Sequence, residues 1–208
     1  MNSYLKIAEH YSQAFEKHGA TPKGLDWDNQ ENLDKRYRVM YELIKHSFDN
    51  QSLLDFGCGF GGFYNWLSEN SGINYHGIDI NPDVIKIAQK IHHEAEFYQF
   101  DIHKSAPEYW YRVRNYDYII CNGTFTVKNT LTQEEMTNFM CSTLEKLWTK
   151  TNKGIAFNCM SKVLDFERDD LFHVSFDQLS QWVYDNLSSK FLIRQDYGLR
   201  EFTMYVYK

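Results

Sequence analysis

Apolar side chains fall into two regimes along this chain. Over residues 3–18, Tyr4, Ile7, Ala8, Tyr11 and Phe15 recur every three or four positions, the spacing of one helical face, and Gly19 is a natural stop. The stretch "ATPKGLDW" is a loop by its Pro and Gly. Asp28 with Glu31 three positions later has capping-box spacing and predicts a second helix over about 29–47. No strand pattern precedes residue 50, so residues 1–50 read as a helical extension or lid, and 51–208 as the main domain.

From "SLLDF" onward, short apolar runs alternate with helical periods. The sequence predicts a helix from Gly61 to Glu69, a strand in "INYHGIDI", and a helix that Asn81 caps and Pro82 opens, ending near Ile91. Then come a strand in "AEFYQFDI", a short helix begun by Ser105, Pro107 and Glu108, and a strand in "YDYIICN". Thr132 and Glu135 repeat the capping-box spacing for a helix to about Thr149. A strand in "GIAFNCM" and a helix from Ser175 to Leu187 follow. The last two strands, "KFLIRQDY" and "EFTMYVYK", are joined by a few residues around Gly198, too few for a parallel crossover, so they pair antiparallel. Strands alternating with helices make the class α/β, a mainly parallel sheet with helices on both faces, mixed at its C-terminal edge. Ligands of such sheets sit at the carboxyl ends of the strands.

Bulk properties narrow the partners. The hydrophobic fraction is 43% and the aromatic fraction 17%, enough to fill a core in 208 residues. The net charge is −6, with no Lys/Arg-rich stripe, which speaks against nucleic acid. No segment approaches a membrane span, and "MNSYLKIAEHYSQAF" has no signal-peptide apolar run. Cys58, Cys121, Cys141 and Cys159 are far apart, form no C-x-x-C pair and read as reduced thiols; the expected location is cytoplasmic. His92, His93 and Glu94 are adjacent, point apart on a helix end, and are not expected to hold a metal.

The chemistry concentrates in "LLDFGCGFGGFYNWL". Gly57, Gly59 and Gly62 fit G-x-G-x-x-G after a buried strand. Glycine there permits positive φ and lets a ligand lie against the backbone, and a dinucleotide is one explanation. Asp55 argues otherwise. A carboxylate two residues before the first glycine repels a diphosphate and suits a ligand with a positive group, such as the sulfonium and ammonium of S-adenosylmethionine. Asp79 closes the next strand in "GIDI", where an acid accepts from ribose hydroxyls. Asp101 in "QFDI" suits an adenine amine, with Ile80 and Ile102 as apolar faces for the ring.

"LLDFGCGFG", "GIDINPDVIKIA", "FYQFDI" and "YDYIICNGTF", in this order, resemble the class I S-adenosylmethionine-dependent methyltransferases, over about residues 51–208. The prelude and tail are also similar to bacterial methyltransferase-domain proteins of unassigned substrate. The resemblance implies a Rossmann-like seven-stranded sheet of order 3-2-1-4-5-7-6 with the seventh strand antiparallel. It implies that Asp55, Gly57 and Gly59 contact the methionine portion, with Cys58 in the same loop, that Asp79 holds ribose, and that Asp101 and Ile102 hold adenine. Asn122 and Gly123 would lie beside the transferable methyl. Relatives that methylate adenine or glutamine amines carry Asn-Pro-Pro-aromatic at that strand end. This chain has Asn122-Gly123-Thr124-Phe125, which argues against those acceptors.

The expected activity is methyl transfer to an O or N atom of a small-molecule acceptor, without a metal. His173, in the loop after the fifth strand, is the titratable candidate for a base. Trp27 is expected to pack over the cofactor and Arg36 to pair with its carboxylate. Arg194 and Glu201 are read as a cross-strand pair. The rival readings are an NAD-dependent oxidoreductase and a non-catalytic domain that binds S-adenosylmethionine.

Overall fold

A computed structural model describes residues 4–45, 50–67, 72–104 and 113–208. Its elements, in chain order, are α1 (Leu5–His18), a 3-10 turn (Pro22–Leu25), α2 (Gln30–Tyr41), β1 (Ser52–Phe56), α3 (Gly62–Leu67), β2 (Asn74–Asp79), α4 (Pro82–Ile91) and β3 (Glu96–Gln99). Then follow β4 (Tyr116–Phe125), α5 (Gln133–Trp148), β5 (Thr151–Ser161), β6 (His173–Val174), α6 (Phe176–Asn186), β7 (Phe191–Arg194) and β8 (Glu201–Tyr207). The helix expected around Ser105 to Glu108 lies outside the described residues.

The strands form one sheet of order β3-β2-β1-β4-β5-β8-β7, with β6 paired to β5 off this path. β8 runs antiparallel between β5 and β7, while β1 to β5 are mutually parallel. With the two-residue β6 set aside, this is the anticipated order.

Period-two alternation explains how both faces are filled. Leu54, Ile119, Ile155 and Met204 point into a core shared with Met136, Met140 and Leu144 of α5 and Leu179 and Val183 of α6. Their neighbours Leu53, Ile120, Ala156 and Tyr205 point the other way, against Leu33, Tyr37 and Met40 of α2, Phe63 of α3 and Ile85 of α4. A strand buried on both faces must be apolar at consecutive positions, as Ile119-Ile120-Cys121 is.

Side chains fix the helix starts. Thr132 Oγ1 accepts from the Glu135 amide (3.1 Å) and Glu135 Oε2 from the Thr132 amide (2.9 Å), a complete capping box. Asn81 Oδ1 accepts from the Asp83 amide (2.8 Å). At α2 the cap is Asn29, which accepts from the Asn32 amide (2.9 Å), and not Asp28. The helix thus starts one residue later than the Asp28–Glu31 spacing implied.

The β4–β5 ladder contains the irregularity that matters for function. Cys121 pairs with Phe157 and Phe125 with Cys159, so Asn122, Gly123 and Thr124 stand opposite Asn158 alone. Gly123 takes φ +83°, and the chain bows out of the sheet there.

Candidate functional site

A cavity opens at the carboxyl ends of β1, β2 and β4. Asp55, Gly57, Cys58, Gly59, Asp79, Ile80, Asp101, Ile102, Asn122, Gly123 and Trp27 all line it. The sequence-predicted residues are therefore brought together, with two exceptions treated below.

The glycine turn is built by its own hydrogen bonds. Gly57 and Cys58 both donate to the Ile78 carbonyl (2.8 and 3.1 Å), and Gly59 donates to Asp79 Oδ2 (2.9 Å). Gly57 sits at φ +81° and Gly59 at φ +54°. A Cβ on Gly57 would come within 2.7 Å of Thr124 Oγ1, and one on Gly59 within 2.8 Å of Leu25 Cδ2. Three amides of the turn, those of Gly57, Cys58 and Gly59, are thus committed to the end of β2.

Three carboxylates define the electrostatics. Asp55 is 2% exposed on β1. Burial pushes its pKa up to about 7, against the Tyr75 hydroxyl, which donates to Oδ2 at 2.7 Å, and with a smaller push from Asp79. Burial also raises Asp79, opposed by backbone amides; Oδ1 accepts from the Asn81 amide at 2.9 Å. Asp101 lies two residues beyond β3 and accepts at both oxygens from the Tyr4 hydroxyl (3.1 Å each) and at Oδ1 from the His103 and Lys104 amides (3.0 and 3.1 Å). No Lys or Arg is among the cavity-lining residues described. Such a cavity repels anions and, once its acids ionise, attracts a cation.

Sequence reasoning missed much of the wall. Tyr4, at the N-cap of α1, and Ile7, Ala8 and Tyr11 within it line the cavity, as do Leu25, Tyr37, His103 and Phe139. α1 is tied down along its length. Tyr4 bonds Asp101, Ser12 Oγ accepts from Asn81 Nδ2 (2.9 Å), and the Tyr11 hydroxyl donates to the Gly123 carbonyl (3.3 Å). Burial, with Lys146 nearby, lowers the His103 pKa to about 4, against the opposing pull of Asp101. Position beside Asp101 in "FDIH" was the one available signal for His103; the α1 face was legible as apolar but not as cavity wall.

At the β4 end, Asn122 Oδ1 is buried with no hydrogen-bond partner among the described atoms. A buried, unpaired amide oxygen is costly and is relieved by a ligand donor. Trp27 lies over Gly123, so close that a Cβ there would be 2.4 Å from its Cζ2.

Three expectations are corrected. His173 is 4% exposed and lies outside the cavity wall: its Nδ1 meets the Ser161 carbonyl (2.8 Å), and its Nε2 accepts from the Arg168 amide (3.2 Å). The loop after β5 turns this ring inward, onto backbone, and leaves it no nitrogen for a proton transfer. Arg36 is likewise outside the wall. Its Nη2 and Nε donate to Glu201 Oε2 (2.8 and 3.0 Å), and its guanidinium stacks on Trp27 at 4.0 Å from the ring centre. Glu201 therefore pairs with Arg36 and not with Arg194, which instead bonds Asp196 (2.6 Å). The cross-strand partner of Arg194 is Thr203, two residues from Glu201. Among the described residues no cluster of three or more His, Cys, Asp or Glu could hold a metal, and no helix is long and apolar enough to cross a membrane.

Comparison with known proteins gives the following. Residues 47–172 match the family model described as a methyltransferase domain. A Mycobacterium tuberculosis (strain H37Rv) protein provisionally named as a methyltransferase, Rv1506c, is 28% identical over 168 residues, covering 79% of this chain and 98% of its own. The magnesium protoporphyrin IX methyltransferase of Synechocystis PCC 6803, solved with bound SAM, superposes with TM-score 0.70 at 13% identity, covering 100% of this chain and 98% of its own. The plantazolicin methyltransferase BpumL, solved with a pentazolic desmethylPZN analog and SAH, superposes with TM-score 0.58 at 14% identity, over 98% of this chain and 90% of its own.

Proposed function

The chain belongs to the methyltransferase family, and from that premise we propose that it transfers the methyl group of S-adenosylmethionine to an oxygen or nitrogen of a small-molecule acceptor held in the same cavity. The observation that carries the reading is the charge of the wall: Asp55, Asp79 and Asp101 line it with no Lys or Arg among the lining residues described, Lys104 standing outside the lining at 3.9 Å from Asp101 Oδ2, around a glycine turn whose Gly57, Cys58 and Gly59 amides are already bonded. That wall fits a positively charged adenosyl amino acid and opposes the diphosphate of NAD, the rival considered from sequence.

Within this reading each residue has a chemical task. Asp55 faces the ammonium, and the Gly57-Cys58-Gly59 backbone gives the amino-acid portion room. Asp79 keeps lone pairs open for ribose hydroxyls beyond its two backbone donors. Ile80 and Ile102 flank the base, and Asp101 accepts from its amine. When bound, S-adenosylmethionine supplies a methyl on a sulfonium, a leaving group that needs no acid from the protein. What remains for the chain is to orient the acceptor and exclude water, which α1 and Trp27 do by covering the cavity. Asn122 Oδ1 is the open acceptor for a ligand N–H or O–H. His173 takes no part.

The test is a thermal-shift comparison of S-adenosylhomocysteine with NAD. A ligand at 100 times its Kd stabilises by about 2.7 kcal/mol, which raises Tm by roughly 5–10 °C for a chain of this size. A shift with NAD and none with S-adenosylhomocysteine would sink the proposal.

A further inference from the structure

Behind the Asn122–Gly123 end of the cavity runs a line of buried polar side chains, two of which, Arg36 and Glu201, sequence reading assigned otherwise. Glu201, on β8, is 1% exposed, and Asn158, on β5, is fully buried. Arg36 of α2 donates twice to Glu201 Oε2; Glu201 Oε1 accepts from Asn158 Nδ2 (3.0 Å); Asn158 Oδ1 accepts from the Gly123 amide (2.7 Å). The line ends inside the gap of the β4–β5 ladder, where Asn158 faces Asn122, Gly123 and Thr124 without backbone pairing.

The direction of each bond follows from the charge at its head. A guanidinium only donates, so it fixes Glu201 as the acceptor. A carboxylate only accepts, so the Asn158 NH2 must face Glu201, and the amide oxygen is left to face Gly123. An aspartate at 158 would oppose Glu201, and an apolar residue would strand both Glu201 and the Gly123 amide. The same guanidinium stacks on Trp27, whose other edge lies on Gly123. A buried ion pair is seldom worth more to stability than apolar residues of equal volume, which leaves conformational specificity as its use here.

We propose that Arg36, Glu201 and Asn158 are positioning residues: together they set the Asn122–Gly123 peptide and Trp27 at the methyl-donor end of the cavity. Arg36 then acts through Glu201 and not by touching the cofactor. This rests on the methyl-donor site proposed above.

Two measurements on the full chain decide it. The first needs no ligand: hydrogen exchange of the Gly123 amide, with Ile120 on the same strand as the internal reference. In Glu201→Gln we expect Gly123 to exchange at least tenfold faster while Ile120 is unchanged; equal protection of Gly123 overturns the proposal. The second is calorimetric titration with S-adenosylhomocysteine. We expect affinity in Glu201→Gln to fall at least fivefold. Unchanged affinity overturns the proposal, and so does tighter binding, because a released Arg36 that binds the ligand directly would strengthen it. If Glu201→Gln does not fold, the double variant Arg36→Met, Glu201→Leu replaces the pair by apolar volume, and the same two outcomes are read from it. If the wild-type chain fails to bind S-adenosylhomocysteine, the site reading falls, while the Gly123 exchange still decides the positioning role.

Discussion

Asp55 stands in β1 with the Tyr75 hydroxyl on one oxygen, and burial holds its pKa near about 7. The sign of its linkage is definite. Between the ordinary carboxylate value and about 7, the folded chain binds a proton that the unfolded chain has lost. The stability owed to protonated Asp55 is complete below the unfolded value and disappears as pH rises through the folded one. Asp55→Asn should therefore raise the melting temperature of the ligand-free chain at pH 8, while lowering S-adenosylhomocysteine affinity tenfold or more; calorimetry and a melting curve on one preparation check both. A cationic ligand needs the ionised carboxylate, so wild-type affinity should rise from pH 6 to 7.5. Tyr75→Phe removes a bond that favours the charged form and should move the midpoint of that rise to higher pH. Asp55, Asp79 and Asp101 were readable from sequence because each ends or follows an apolar run. The misreadings, His173 and Arg36, are residues whose partners come from distant strands or from backbone, which local pattern does not encode.

Elements repay the same treatment. The Thr132–Glu135 box was visible in the chain and is complete in the fold, so Thr132→Ala should cost about 1 kcal/mol in urea denaturation and leave S-adenosylhomocysteine affinity alone, since α5 reaches the cavity through Phe139, well inside the helix and away from its cap. At the bow in β4, Gly123→Ala faces both a positive φ and the Trp27 ring. We expect a loss of roughly 1–3 kcal/mol together with weakened ligand binding, read by melting and titration of one variant. Strand and helix order came through from periodicity because parallel strands covered on both sides leave long apolar runs. Asn29 as the α2 cap did not, since Asp28 and Asn29 are chemically equal candidates and only the backbone turn chooses. β6 was hidden for another reason: two residues carry no period.

At the scale of the molecule, the two faces of the sheet are filled by different helices, and the cavity is completed by the N-terminal ones. A lid was expected there, but its contacts were the least legible part of the site, because they depend on meetings such as Tyr4 with Asp101, 97 positions apart. The chain carries a net charge of −6, while the acids that face the ligand are largely shielded from solvent. Salt screens exposed charge more than buried charge. Between 50 mM and 500 mM salt we expect the association rate of a cationic ligand to fall severalfold and its dissociation rate to hold, a pattern stopped-flow fluorescence resolves.

The interruption between Cys121–Phe157 and Phe125–Cys159 has a consequence for descent. Sheet pairing resumes on the far side, so the three residues in the interval are pinned at both ends yet owe the ladder nothing. Gly123 is held by its positive φ and by Trp27, and Thr124 by the Phe56 carbonyl, so changes that alter what the cavity holds while sparing the fold should fall first at Asn122, whose side-chain oxygen is uncommitted.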